Sequence, residues 1–253
     1  MKSTFWSFQP FPLGHSEAHL WYVFPETITT PELLASYHSL ICPKERTQQR
    51  RFNFEKGRHQ YLVTRALVRT TLSRYVPVDP GAWRFENNSQ GRPEIVYPQS
   101  TLPLRFNVSH TDGLIVCLVA MDREVGVDVE DMTRPGQTVE IANQFFSPTE
   151  VAALRALAGG AQRHRFFEYW TLKEAYIKAR GIGVSLPLEW FSFHLEPGRP
   201  VRISFDPSLD DDPLSWQFAQ FRLTPRHIGA LAIRRRAGSD LDVQVRRTVP
   251  LVF

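Results

Sequence analysis

Cysteine is scarce in this chain of 253 residues: there are two, Cys42 and Cys117. Two thiols build neither a disulfide scaffold nor a Cys-ligated metal site, so the natural compartment is a reducing cytoplasm. Cys117 lies in the apolar run Leu114–Ala120 and reads as a small core residue. No apolar run approaches the roughly 18 residues of a membrane span. Met1-Lys2-Ser3-Thr4-Phe5-Trp6 lacks the long apolar core and small-residue cleavage site of a secretory leader. Charge of one sign is also in short supply, the net being +4. With 42% hydrophobic and 22% charged residues, the chain excludes disorder and is long enough for one large or two small cores. Arginines do gather at Arg46–Arg51 and Arg234–Arg236. Such runs suit an anionic ligand, although a solvated basic face is the plainer alternative.

What the chain does have is order. Residues 55–75 space Tyr61, Leu62, Ala66, Leu67 and Leu72 as an amphipathic helix, closed by Pro77. Trp83-Arg84-Phe85-Glu86 reads as a short strand, followed by a turn to Pro93 and strands over Leu114–Met121 and Glu124–Val129. Ser147-Pro148-Thr149-Glu150 opens a helix with a serine cap and proline in the first turn, expected to end at Gly159-Gly160. A further helix over 164–180 stops at Gly181-Ile182-Gly183.

The second half echoes the first. Trp83 precedes Gly91-Arg92-Pro93 by eight positions, and Trp190 precedes Gly198-Arg199-Pro200 by the same eight. A long helix comes before each pair and a glycine-bearing apolar strand after it. The expectation is an α/β (α+β) fold of two pseudo-symmetric halves, 1–120 and 121–253, with the active site in the cleft between them.

Four constellations could carry chemistry. In Val125-Gly126-Val127-Asp128-Val129-Glu130, alternate residues of a strand share a face, so Asp128 and Glu130 point together. Paired carboxylates repel unless a cation lies between them, and Mg²⁺ takes one or two such ligands plus phosphate oxygens. An acidic solvent-facing strand is the plain alternative. Glu174 and Lys178, at i and i+4 in Trp170–Lys178, share one helix face. A surface ion pair is the default for that spacing, but Phe166, Phe167, Tyr169, Trp170 and Tyr176 leave the helix little solvated face. A lysine beside a metal-ligating glutamate suits a phosphate ester. In Phe106-Asn107-Val108-Ser109-His110-Thr111, Ser-His-Thr is read as a loop between two strands that offers a phosphate cradle or a structural histidine. Gln90-Gly91-Arg92-Pro93 presents a guanidinium suited to phosphate, or is merely a turn.

Taken in order, Gly91-Arg92-Pro93, Phe106–His110, Val125–Glu130 and Trp170–Lys178 closely resemble the successive motifs of the surfactin-type 4′-phosphopantetheinyl transferases. The resemblance covers about residues 45–195, and the GVDVE and WxxKEAxxK elements are its specific part. It implies transfer of phosphopantetheine from coenzyme A to a serine of an acyl or peptidyl carrier protein, releasing adenosine 3′,5′-bisphosphate. It further implies Mg²⁺ held by Asp128, Glu130 and Glu174, with Lys178 on the pyrophosphate. Ser109, His110 and Arg92 would reach phosphates, with the Gly91–Pro93 backbone beside the adenine. Glu174 would be the base, acting directly or through a water. Where the best-known members carry lysine at the turn, this chain has Arg92, which keeps the charge. Upstream, Lys44, Arg46, Arg50, Arg51 and Arg65 compete for a phosphate, and Arg51 and Arg65 are favoured. Part of the segment from Met132 to Phe146, which carries Arg134, is expected to border the carrier-docking groove; the plain alternative is that Phe145 and Phe146 both fill the core.

The protein is thus read as a cytoplasmic monomer with no nucleic-acid or membrane partner. Two other classes stay open. Asp-x-Glu with a downstream lysine also occurs in metal-dependent nucleases, though these set Glu-x-Lys on a strand. A basic chain could also bind nucleic acid without catalysis, but no basic stripe with interleaved aromatics supports it.

Overall fold

The computed structural model describes residues 10–99, 102–136, 138–183, 186–236 and 238–252; the leader reading of Met1–Trp6 lies outside these. The first half runs through strand β1 (Glu17–Val23), helices α1 (Pro31–Leu40), α2 (Pro43–Arg50) and α3 (Glu55–Ser73), hairpin β2 (Arg84–Asn87) and β3 (Pro93–Tyr97), and hairpin β4 (Leu104–Thr111) and β5 (Leu114–Met121). The second half repeats the plan. Strand β6 (Val125–Asp131) leads through α4 (Ala142–Phe145) and α5 (Pro148–Arg155) to α6 (Gly159–Arg180). Hairpin β7 (Phe191–His194) and β8 (Arg202–Phe205) follows, then β9 (Trp216–Thr224) and β10 (His227–Arg234), and finally β11 (Asp242–Arg247). The sheets order as β11-β1-β5-β4 and β6-β10-β9. Without β11 they correspond strand for strand, with β1 antiparallel to β5 and β6 antiparallel to β10. Strand β11 departs from the repeat: from the far end of the second half it returns to pair parallel with β1.

Period-two patterning stacks these elements as helix, sheet, sheet, helix. All of β5 is buried because both of its faces are covered. Ile115, Cys117, Val119 and Met121 pack in the core beneath α3, whereas Leu114, Val116, Leu118 and Ala120 join Val125, Val127, Val129, Leu231 and Ile233 between the sheets. Burying each such Val or Leu contributes about 1.5–3 kcal/mol. A one-residue slip of β6 would exchange Val127 and Val129 for Asp128 and Glu130, so the apolar side fixes where the carboxylates point.

Three local expectations change. Ser109-His110-Thr111 is not a loop but the end of strand β4: Phe106 and Val108 feed the core, while Asn107, Ser109 and Thr111 turn toward β6. The helix capped by Ser147 stops at Arg155, and Gly159 opens α6, since a first-turn glycine costs less than one mid-helix. The run Arg234–Arg236 is spent on internal pairing, with Asp211, Asp240 and Asp122 respectively. Among the described residues no helix is long and apolar enough to cross a membrane.

Candidate active site

The two halves meet where β4 lies beside β6. Val127 N–H donates to Asn107 Oδ1 (3.0 Å) and Asp131 N–H to Thr111 Oγ1 (3.1 Å), so side chains of one strand stitch the backbone of the other. Helix α6 lies across β6. Its close approach depends on Gly126: a Cβ there would stand 2.0 Å from the Ala175 carbonyl oxygen and 2.4 Å from Ala179 N. Alanines on the helix and glycine on the strand bring the two backbones together, and Glu174 and Lys178 descend on Asp128.

At the meeting point Lys178 Nζ donates to Asp128 Oδ1 (2.6 Å) and Ser109 Oγ (3.1 Å), and Ser109 Oγ donates to the same Asp128 oxygen (2.8 Å). Three of the expected residues, from both halves and three elements, therefore converge. Asp128 Oδ2 is buried with no hydrogen-bond partner. Burial, then the charge of Asp128, raises the carboxyl of Glu130 to about 7. The same two causes, in that order, raise Glu174. Burial, then the charge of Lys178, lowers His110 and favours the neutral imidazole, although the residue itself is exposed.

Among the described residues no group of three or more His, Cys, Asp or Glu side chains is gathered closely enough to hold a metal. Glu130 pairs instead with Arg134 (3.3 Å), and Lys178 takes the near oxygen of Asp128. The donor set nonetheless fits a hard divalent cation. Asp128, Glu130 and Glu174 repel one another, and one buried carboxylate oxygen is left unsatisfied.

The Gly91 turn is fixed by Asn88, whose Oδ1 accepts from Gln90 N–H and Arg92 N–H, with Gly91 at φ +90°. Arg92 was expected at phosphates. Its Nη1 donates to Ala179 O (2.9 Å) at the end of α6 and its Nη2 pairs with Glu94 (2.9 Å), so two of its donors are taken. Gly181, at φ +62°, makes room: a Cβ would come within 2.5 Å of the guanidinium carbon. Asn88 Nδ2 also donates to Gly181 O (3.0 Å). The turn thus ties the first half to the C-terminus of α6, directly after Lys178.

From Pro93 a cleft of about 960 Å³ runs over α2 and α3, lined by Lys44, Arg51, Tyr61, Arg65, Arg69 and Arg84. Arg51 and Arg65, the favoured pair, line it, whereas Arg46 turns away to Ile41 O. Arg69 and Arg84 were not singled out from the sequence. Tyr61, Arg65 and Arg69 stand four apart on α3, and that helical stripe was the available signal. Arg69 is buried, held by Glu45 (2.7 Å) and Leu40 O (3.0 Å), with its Nη1 unpartnered. Of the expected docking segment, in which Gln137 lies outside the described residues, Phe146 fills the core and Phe145 packs edge-on against Trp170.

Comparison with known proteins matches two successive stretches of the chain. The family described as "4′-phosphopantetheinyl transferase, N-terminal" matches residues 29–122, and the "4′-phosphopantetheinyl transferase superfamily" matches 124–233. The chain is 32% identical over 193 residues to the 4′-phosphopantetheinyl transferase HetI of a Nostoc species, covering 76% of this chain and 80% of that one. It is 36% identical over 174 residues to the 4′-phosphopantetheinyl transferase Sfp of Bacillus subtilis, covering 68% and 74%. A solved holo-[acyl-carrier-protein] synthase from Neisseria meningitidis resembles 45% of this chain and 98% of its own, at 14% identity and a TM-score of 0.38. This chain belongs to the 4′-phosphopantetheinyl transferase family.

Proposed function

We propose that the chain transfers 4′-phosphopantetheine from coenzyme A to a serine of an apo carrier protein, with magnesium as the metal. The observation that carries the reading is the cluster of Asp128, Ser109 and Lys178, with Glu130 and Glu174 beside it, in a fold whose first half offers a basic cleft. In this reading residues 1–120 grip coenzyme A and 121–253 supply the reacting centre. Arg51 and Arg65 steer its phosphates into the cleft, and Pro93 borders the adenine end. Lys178 donates to an oxygen of the pyrophosphate, and Ser109 and His110 add short contacts from β4. Arg92 acts by holding the turn against α6, with two of its five N–H donors spent on Ala179 O and Glu94.

Asp128, Glu130 and Glu174 would hold Mg²⁺, which would neutralise charge building on the pyrophosphate. Glu174, its carboxyl raised by burial and by the charge of Asp128, accepts the proton of the carrier serine, directly or through a water. The serine oxygen then bonds to the phosphorus next to pantetheine as the bond to the departing adenosine 3′,5′-bisphosphate breaks. Positioning and charge neutralisation do most of the work. Mixing the protein with coenzyme A, MgCl₂ and a panel of apo carriers should add one phosphopantetheine to a carrier, read by mass. Loss of DNA in place of coenzyme A would favour the nuclease, and DNA retention without cleavage the binding protein.

A pH signature follows from Glu130. Its folded pKa of about 7 exceeds the ordinary 4.5, so its ionisation opposes folding. Below about 4.5 that penalty is absent; it grows with pH and is complete above about 7. Added MgCl₂ relieves it, and protons compete less at high pH. Thermal melts should therefore show a larger Mg²⁺-induced rise in Tm at pH 8 than at pH 5.5. Equal shifts at the two values, or none, would count against the carboxylate site.

A further inference from the structure

Helix α6 presents Glu174 and Lys178 on one face and Tyr176 and Arg180 on the opposite one, since two residues turn a helix by about 200°. On that far side, in the loop between β8 and β9, sits Asp211, with a side chain only 2% exposed. Its Oδ2 accepts from Tyr176 OH (2.7 Å), Arg180 Nη1 (2.5 Å) and Trp216 Nε1 (2.9 Å), and its Oδ1 from Arg234 Nη1 (2.8 Å). Arg180 also donates to the Tyr176 hydroxyl (2.7 Å). The rings of Phe191 and Trp216 close on Tyr176 at 4.9 and 5.1 Å. One carboxylate thus holds two residues of α6 and one each of β9 and β10.

The near side of the helix explains what such a hub is needed for. α6 rests on β6 through Ala175, Ala179 and Gly126, small groups that allow close approach but offer no ridges to resist roll or slide. Lys178 must still meet Asp128 at 2.6 Å and Ser109 at 3.1 Å. A displacement of about 1 Å at a reacting group costs on the order of 100-fold in rate. The smooth contact brings the helix near; the polar contact behind it sets the roll, alongside the Arg92 and Asn88 tie at its C-terminus and the buried Lys173–Glu150 pair.

We infer that Asp211 is a positioning residue for the transfer reaction, fixing the roll of α6 so that Glu174 and Lys178 face Asp128. This rests on the site proposed above. The loop from Phe205 to Trp216 then shapes the active site from the side of α6 that faces away from it. Asp211→Asn keeps the shape and weakens the grip on Arg180 and Arg234. Tyr176→Phe keeps the ring packing and removes one bond, which serves if the first variant folds poorly.

Two readouts at a temperature well below each variant's Tm decide it. The first is kcat on an apo carrier, with the KM for coenzyme A measured alongside; the second is Mg²⁺ affinity by calorimetry, which needs no turnover. Expected are a fall in kcat of about tenfold or more and Mg²⁺ binding weakened severalfold, with the coenzyme A KM moving less than kcat because Arg51 and Arg65, in the other half, keep their grip. Arg236→Ala, which breaks only the surface pair with Asp122, should change none of these. A lower Tm with wild-type kcat and wild-type Mg²⁺ affinity would overturn the proposal and leave Asp211 a purely structural tie. If the wild-type protein transfers nothing to any carrier, the transferase reading fails. The Mg²⁺ measurement then still stands or falls on the positioning role alone.

Discussion

Asp128→Ala is expected to lower kcat roughly 10³-fold while the melting temperature stays level or rises. The rate falls because this carboxylate receives both Lys178 and Ser109, and because its second oxygen is a buried acceptor without a hydrogen-bond partner. Losing one such preorganised electrostatic partner costs about 10²–10³-fold, and here a ligand and an orienting contact go together. Stability should not follow. The Asp128 charge is the second cause, after burial, of the raised Glu130 and Glu174 carboxyls, so removing it lets both ionise more easily. Lys178, about a quarter exposed, can rehydrate. Groups that serve a reaction at the expense of the fold are common at active sites. Single-turnover assays in saturating MgCl₂, with melts on the same sample, test both parts. Wild-type turnover would remove Asp128 from the site, and a collapse in Tm would make it a structural residue.

Which parts of this were legible in the sequence follows from the range of the contacts. Period two placed Asp128 and Glu130 on one face of β6, because the apolar partners Val127 and Val129 are in the same hexapeptide. Period 3.6 placed Glu174 with Lys178, and the matching Trp and Gly-Arg-Pro spacings exposed the two halves. Each signal is local, or compares like with like. Ser109 was read as part of a loop because its strand alternates core residues with polar ones that β6 satisfies. Without knowing that β6 lies alongside, nothing pays for burying Asn107 and Ser109. Arg92 looked like a free donor at a turn, because its acceptor, the carbonyl of Ala179, is 87 residues away. Asp211 stands in Asp210-Asp211-Asp212, where nothing distinguishes the middle residue from its neighbours until the fold surrounds it. Strand β11 carried no repeat partner, so its pairing with β1 had no precedent in the first half.

The residue before Glu174 shows the same limit with a larger consequence. Lys173 lies inside the WxxKEAxxK element, yet nothing in the spacing separates it from the lysine five positions on. The fold assigns them opposite environments. Lys178 opens onto the site, whereas Lys173 is fully buried, with Nζ on Glu150 Oε2 (2.8 Å), Leu188 O (2.7 Å) and Phe191 O (2.6 Å), and 4.2 Å above the Phe191 ring. Glu150 is equally buried. Its other bonds come from Ser147 and Phe193 N–H, so it joins the cap of α5 to β7. Lys173→Met fits the volume but leaves that carboxylate without its counter-charge and two carbonyls without a donor. The expected loss is about 3–5 kcal/mol, the usual result of breaking a buried pair from one side. For a chain of this size it corresponds to a fall in Tm of about 6–20 °C. Adding Glu150→Gln should restore part of the loss, since the uncompensated charge and not the missing contact dominates it. Denaturant titration of the two single variants and the double variant measures this directly. A single-variant loss below about 1 kcal/mol, or a double variant no better than Lys173→Met, would show that the pair is not what anchors α6 at this end.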